Sequence, residues 1–296
     1  MYYKSLDPIP GVTIELSHPP QQQLTQNNGA FLFASVPAGP VRLQPLSNQL
    51  NVAGAVTAGD AVEILRVLVG TGSLDSFGLL AADVNASGTV TTADASEILR
   101  YVVGSLPALS GASKCGSAWL FVPQPTVLPN QTLVPPQPTA NPCVFGAIEY
   151  SPLADAASGQ NFAGVVLGDV NGSWQSSFAT LQPAYGVRVS PGPARFFRRG
   201  SRVFYRTSFQ LTLPQLVSAL DMTLGYEPRR IRWIRGRINL SNPHAIQAQH
   251  AAHGQLRVAA ASAEALPSKV TLWIDAEFTG APPSRRALRV LRVQLE

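Results

Sequence analysis

"DVNASGTVTTAD", residues 83–94, places Asp83, Asn85 and Ser87 on alternate positions, follows them with Gly88, and closes on Asp94. Charged residues make up only 13% of the 296-residue chain, so this concentration of polar oxygens needs a chemical reason. A hard divalent cation supplies one. Ca²⁺ takes six to eight oxygens at about 2.3–2.6 Å, and a twelve-residue loop can deliver them from its first, third, fifth, seventh, ninth and twelfth residues. Here those are Asp83, Asn85, Ser87, the Thr89 backbone carbonyl, Thr91 and Asp94. Gly88 falls at the sixth position, where the chain turns sharply and a positive φ is convenient. Val90 is expected to point into the core, and Asp94 to double as the cap of a following helix.

The stretch has an echo. "NVAGAVTAGDAVEILRVLVG" (51–70) and "NASGTVTTADASEILRYVVG" (85–104) align without gaps at an offset of 34. Apolar positions 61, 64, 65 and 68 match 95, 98, 99 and 102, one helical stripe in each copy. Two such helices can pair and bury both stripes. The loop–glycine–aspartate–helix order, repeated over about 49–104, resembles the dockerin type I domain. That resemblance implies two calcium loops with Asp at the twelfth position and docking onto a cohesin-type β-sandwich. The first loop departs from the pattern. "QLNVAGAVTAGD" (49–60) has Gln49 at the first position and Ala53 at the fifth, leaving Asn51, the Ala55 carbonyl and Asp60 as a degenerate set. A filled second site and a weak or empty first site are expected. The alternative is that both loops are helix-capped turns that hold nothing.

"GDVNGSW" (168–174) starts like a third such loop, with Asp169, Asn171 and Ser173, but no acid follows at the twelfth position. It reads either as a β-turn or as a segment whose Asp169 and Asn171 lend ligands to the defective first loop. Cys115 and Cys143 bracket a Pro-, Gln- and Asn-rich stretch and could close it as a disulfide, although sequence alone cannot prove pairing.

Elsewhere, short apolar runs are split by Pro (25) and Gly (24), as expected for β structure with many turns. "GVTIEL" (11–16), "AFLFASV" (30–36) and "VRLQPL" (41–46) read as strands and resemble the carboxypeptidase regulatory-like, or prealbumin-like, β module. The chain is expected to begin inside that module's first strand. "SALDMTLGYEPRRIRWI" (218–234) and "GQLRVAAASAEAL" (254–266) resemble the cohesin-type jelly-roll sandwich. In 270–278, Val270, Leu272, Ile274, Ala276 and Phe278 alternate with polar residues, the pattern of a strand buried on one side. The fold class expected is therefore mainly β: tandem β-sandwich modules, Ig-like/prealbumin-like and cohesin-like, with a small inserted dockerin-like helix pair. The expected divisions are a regulatory-like module at 1–47, the helix pair at 48–105, a β extension continuing the first module at 106–180, and the cohesin-like sandwich at 186–296, with 182–186 as a linker.

Charge is uneven. Residues 1–185 carry five Lys and Arg against eleven Asp and Glu, a balance of −6, and residues 186–296 carry seventeen against six, a balance of +11. Arginines interleaved with aromatics at 195–206 and 229–237 have an RNA-like composition, but no nucleic-acid module accompanies them. Their alternation with apolar residues instead marks the wet face of a strand, suited to an acidic partner. No GxSxG or HExxH motif occurs, and His244, His250 and His253 fall in a stretch read as a polar loop. No run of about 18 apolar residues exists to span a membrane, and "MYYKSLDPIPG" lacks a signal peptide's apolar core. These readings converge on a non-catalytic, Ca²⁺-stabilised, extracellular structural, adhesion or scaffolding protein, in one version the subunit of a surface filament. Its partner would be a protein of cohesin or dockerin type or another copy of itself. The rival is a polysaccharide-binding or polysaccharide-degrading accessory protein, with Trp119, Trp174, Trp233 and Trp273 as candidate sugar platforms.

Overall fold

The computed structural model describes residues 1–46, 51–175, 187–214, 216–279 and 288–296. In chain order the strands are β1 (Thr13–Leu16), β2 (Gln21–Leu24), β3 (Gly39–Leu46), β4 (Trp119–Pro125), β5 (Gln131–Val134), β6 (Ala147–Leu153), β7 (Gln160–Val166) and β8 (Arg188–Pro191). They continue with β9 (Arg195–Arg199), β10 (Arg202–Thr212), β11 (Ala219–Tyr226), β12 (Ile231–Ile238), β13 (Ala245–Ala252), β14 (Gln255–Ser262), β15 (Lys269–Phe278) and β16 (Leu288–Leu295). Helices α1 (Ala58–Leu68), α2 (Ser76–Ala82), α3 (Thr92–Val102) and α4 (Ser110–Cys115) fall between β3 and β4. The protein is thus mainly β with a small helical region. Its contacts divide it into two compact units.

Unit 1 comprises Met1–Val56, Leu74–Val90 and Ala108–Ala179. Its larger sheet has the order β2-β1-β3-β6-β5, and β4 pairs with β7 in a second sheet. Strand β3 pairs with β6, so segments about 100 residues apart share one sheet. Along β3, Val41 and Leu43 are buried while Arg42 and Gln44 are not, because one face meets the core and the other meets water. Trp119, Leu120, Ile148, Val165 and Leu167 form the centre of the core. Cys115 and Cys143 are joined by a disulfide with Cα atoms 5.3 Å apart.

The strand expected at 30–36 does not form. Phe31 and Phe33 are half-buried and Leu32 is 72% exposed, so the alternation is present without a ladder. The edge of β1 is already taken by β2, and the Leu32 amide donates instead to the Gln23 side chain at 3.1 Å.

Unit 2 comprises Thr57–Ser73, Thr91–Pro107 and Thr180–Glu296. Its β part has one sheet of order β12-β15-β10-β8, with β9 also on β10, and another of order β13-β14-β11-β16. Leu211, Leu220, Met222, Leu224, Leu256, Val258, Leu272 and Ile274 fill the core. The expected 270–278 alternation is present as β15, with Val270, Leu272, Ile274, Ala276 and Phe278 buried. The stretch read as a polar loop at 242–254 is largely strand β13. Its alanines and glutamines hide the usual apolar alternation. Gln249 and Gln247 accept hydrogen bonds from the Gly236 and Ile238 amides of β12, each at 2.8 Å.

Helices α1 and α3 pack against each other and lie on the β13-β14-β11 side of unit 2. Strands β11 and β14 are consequently buried on both faces. Leu220, Met222, Leu256 and Val258 point to the core, and the intervening residues Ala219, Asp221, Ala259 and Ala261 are also buried. Alanines at those positions let a helix approach the sheet closely.

Candidate metal centre and helix pair

In unit 1, the turn beginning at Asp83 is held by its own backbone. Asp83 Oδ1 accepts from the Ser87 amide at 2.9 Å and Oδ2 from the Gly88 amide at 2.8 Å. Asn85 Oδ1 also accepts from the Ser87 amide, at 2.9 Å. Ser87 Oγ donates to the Thr89 carbonyl at 3.0 Å and lies 3.4 Å from Asp83 Oδ1. Gly88 has φ +92°, a backbone conformation in which a side chain is strained. Nearby, Gly111 of α4 donates its amide to the Val84 carbonyl at 2.7 Å. A Cβ there would sit 2.8 Å from that oxygen, so only glycine permits the approach.

The other end of this loop lies in unit 2. Asp94 is fully buried, and its Oδ2 accepts from the Thr91 amide at 2.9 Å and the Thr91 hydroxyl at 3.1 Å. Thr91 Oγ1 accepts from the Ala93 amide at 3.2 Å, which completes the N-terminal cap of α3. The first repeat is built alike. Asp60 is fully buried, and its Oδ2 accepts from the Thr57 amide at 2.7 Å and the Thr57 hydroxyl at 3.0 Å. At α1, Glu296 adds a further contact. Its Oε2 accepts from the Gly59 amide and the Thr57 hydroxyl, each at 2.7 Å, which places a carboxylate at the positive end of a helix. Arg66 of α1 donates to Ser218 Oγ at 3.3 Å. Glu296 and Ser218 are sites that sequence reasoning missed. They lie more than 150 residues from their helix partners, and no local signal could have found them.

The donor set suits a hard cation. Two ligands 72–90° apart on a shell of Ca²⁺ radius are separated by about 2.8–3.4 Å. Ser87 Oγ keeps that spacing from both Asp83 Oδ1 and the Thr89 carbonyl. Among the described residues, no three His, Cys, Asp or Glu side chains come together as a metal cluster. A cation here would draw on Asn, Ser, Thr and carbonyl oxygens around isolated carboxylates.

The remaining candidates fall in unit 1. Asp169 is fully buried. Its Oδ1 accepts from the Ser173 amide at 2.8 Å, and its Oδ2 accepts from the Trp174 amide at 2.8 Å and from the Tyr2 hydroxyl. Burial pushes the Asp169 carboxyl above its ordinary range, against the pull of those donors. Asn171 Oδ1 accepts from the Ser173 amide at 2.9 Å. In the first loop, Asn51 Oδ1 accepts from the Ala53 amide at 2.7 Å. The Asn51 carbonyl accepts from Trp174 Nε1 and the Ala55 carbonyl from Ser173 Oγ, each at 3.1 Å. Gln49 lies outside the described residues.

Two of the four tryptophans are unavailable to a sugar. Trp119 and Trp174 are 1% and 7% exposed and meet edge-to-face in the unit 1 core. Trp233 and Trp273 stay exposed on neighbouring strands β12 and β15. Asp275 and Glu277, on the outward side of β15, pair with Arg206 at 2.6 Å and Arg202 at 3.6 Å. Among the described residues, no helix is long and apolar enough to cross a membrane.

A comparison with curated proteins gave no match. A comparison with family models did. Residues 50–103, which hold α1, α2, α3 and the 83–94 loop, match the Dockerin type I domain, a non-catalytic module for protein–protein association through cohesin.

Proposed function

We propose that this chain is a non-catalytic, calcium-stabilised extracellular scaffolding protein whose dockerin-like helix pair is bound by its own cohesin-like β-sandwich. The observation that supports this reading is the seat of α1 and α3 on the β13-β14-β11 side of unit 2. Ala259 and Ala261 are fully buried there, and Glu296 and Ser218 hydrogen-bond to the helix residues Gly59 and Arg66. A helix pair built for docking is thereby covered within one chain. Ca²⁺ bound by Asp83, Asn85, Ser87, Thr89, Thr91 and Asp94 would supply the positive charge those oxygens lack and hold loop and helix in register. Within this reading, 1–47 with 106–180 forms a regulatory-like module around the inserted 48–105 segment, and 186–296 forms the cohesin-like partner. The same contact made between copies would be head-to-tail, and it would yield filaments wherever the rotation does not close.

Two measurements test the proposal. Addition of EDTA lowers the melting temperature, and excess Ca²⁺ restores it; an unchanged transition refutes the calcium role. Sedimentation with Ca²⁺ over a wide concentration range separates docking within one chain, which leaves a monomer throughout, from docking between copies, which gives a growing series of species. Polysaccharide binding is the second reading, supported by exposed Trp233 and Trp273 on one sheet. A glycan pull-down that captures the wild type but not a Trp233→Ala, Trp273→Ala double variant would favour it.

A further inference from the structure

The segments "DVNAS" (83–87) and "DVNGS" (169–173) differ at one residue, and within unit 1 they adopt the same bonded turn. In each, the first-position aspartate accepts through Oδ1 from the fifth residue's amide, at 2.9 Å and 2.8 Å. Each passes its second oxygen to the sixth residue's amide, at 2.8 Å in both. Each asparagine accepts from the same fifth amide at 2.9 Å. The decisive comparison is the serine hydroxyl. Ser87 Oγ lies 3.4 Å from Asp83 Oδ1 and 3.0 Å from the Thr89 carbonyl, the seventh residue of its own loop. Ser173 Oγ lies 3.3 Å from Asp169 Oδ1 and 3.1 Å from the carbonyl of Ala55. Ala55 is the seventh residue not of the 169 segment but of the degenerate 49–60 loop.

From this we infer that the first repeat's cation site is composite: Asp169 and Ser173 stand in for the missing first- and fifth-position ligands, Asn171 takes the third position in place of Asn51, whose side-chain oxygen accepts from the Ala53 amide, and the Ala55 carbonyl supplies the seventh. The inference rests on the calcium reading of the 83–94 loop, whose oxygen triangle it reproduces. It explains why the repeat tolerates Gln49 and Ala53, residues with no carboxylate to offer. It also gives Asp169 a use for a carboxylate that is otherwise costly to bury. Trp174 fixes the register between the segments by donating its indole N–H to the Asn51 carbonyl. The ligand is a hard divalent cation of Ca²⁺ type. The group contains one carboxylate, so affinity is expected at the weak end, with a Kd of about 10⁻⁴–10⁻³ M.

Titration of the full EDTA-stripped chain with Ca²⁺ alone, read by calorimetry and by native mass spectrometry, tests this. Asp169→Ala would remove the acceptor of the buried Trp174 amide and one that the Tyr2 hydroxyl uses, so the informative variants are Asn171→Ala and Ser173→Ala, with circular dichroism as the check on folding. The wild type is expected to take up two ions. Either variant should weaken one of them at least ten-fold and leave the other unchanged, whereas Asp83→Asn should abolish the complementary ion. Two ions at unaltered affinity in both variants, or a single wild-type ion abolished by Asp83→Asn, overturns the composite site. If Asn171→Ala removes an ion and Asp83→Asn removes none, the 83–94 assignment fails while the composite site stands.

Discussion

Replacing Glu296 with alanine tests whether the sandwich holds the helix pair. The carboxylate accepts two hydrogen bonds at 2.7 Å, from the Gly59 amide in the first turn of α1 and from the Thr57 hydroxyl at its cap. A hydrogen bond to a charged group contributes about 1.5–3 kcal/mol when shielded, and a charge at a helix end about 0.3–1 kcal/mol. Gly59 and Glu296 lie at the surface, so the lower limits apply, and the pair should contribute about 1–2 kcal/mol. At about 2 °C per kcal/mol for a protein of this size, Glu296→Ala should lower the unit 2 transition by roughly 2–4 °C. Glu296→Gln keeps an acceptor and loses the charge, so it should fall between wild type and alanine. Differential scanning calorimetry reads the transition, and amide exchange at Gly59 reads the bond directly. A Glu296→Ala protein with an unaltered transition and an unaltered Gly59 exchange rate would refute the claim that this carboxylate fastens α1 to the sandwich.

Other perturbations follow from the same physics. Ile98 in α3 is fully buried, so Ile98→Ala should cost about 2–5 kcal/mol, read as a lower urea midpoint at constant m-value. Cys115→Ser with Cys143→Ser opens a bond spanning 28 residues; the loss in unit 1 should be about 3.5 kcal/mol on loop entropy, measured by urea denaturation without reductant. At Gly88, φ is +92° and an added Cβ would meet only Thr139 at an ordinary 3.5 Å. Gly88→Ala should therefore cost about 1–2 kcal/mol through backbone strain alone, seen as a lower melting temperature in EDTA as well as in Ca²⁺. Burial raises the Asp221 carboxyl above its ordinary range, opposed by Arg257 and Arg292 and reinforced by Glu296. The folded protein thus holds this proton more tightly than the unfolded chain. Stability linked to Asp221 is full below the unfolded value near 4 and is lost as pH rises through the folded value. Asp221→Asn should flatten that fall when denaturation is followed between pH 4 and 7.

Most of the helical region was legible because its information is local. Of the stripes at 61, 64, 65, 68 and 95, 98, 99, 102, the first three positions of each are buried in α1 and α3, while Leu68 is exposed and Val102 half-buried near the helix ends; Thr57 and Thr91 precede helices whose third residue is an aspartate. The 83–88 turn can be read from six consecutive residues because every bond closing it spans five residues or fewer. Strand alternation was equally plain in β15. It misled at 30–36, where β2 already occupies the edge of β1 and the Leu32 amide bonds a side chain instead of a ladder, and it vanished in β13, where alanine and glutamine carry too little contrast.

What the sequence by itself determined was therefore the repeat, its two capped helices, the tight turn at 83–88 and the mainly β character. Each follows from forces acting between residues a few positions apart. Only the tertiary structure decided that Ser173 meets the Ala55 carbonyl 118 residues away, that Glu296 reaches the α1 cap across 237 residues, and that the outer face of β11 and β14 is covered by helices. Many surfaces in the chain carry equivalent donors, acceptors and alanines. Which of them meet is settled by packing the whole chain, since closing so long a loop is favourable only when many contacts form together.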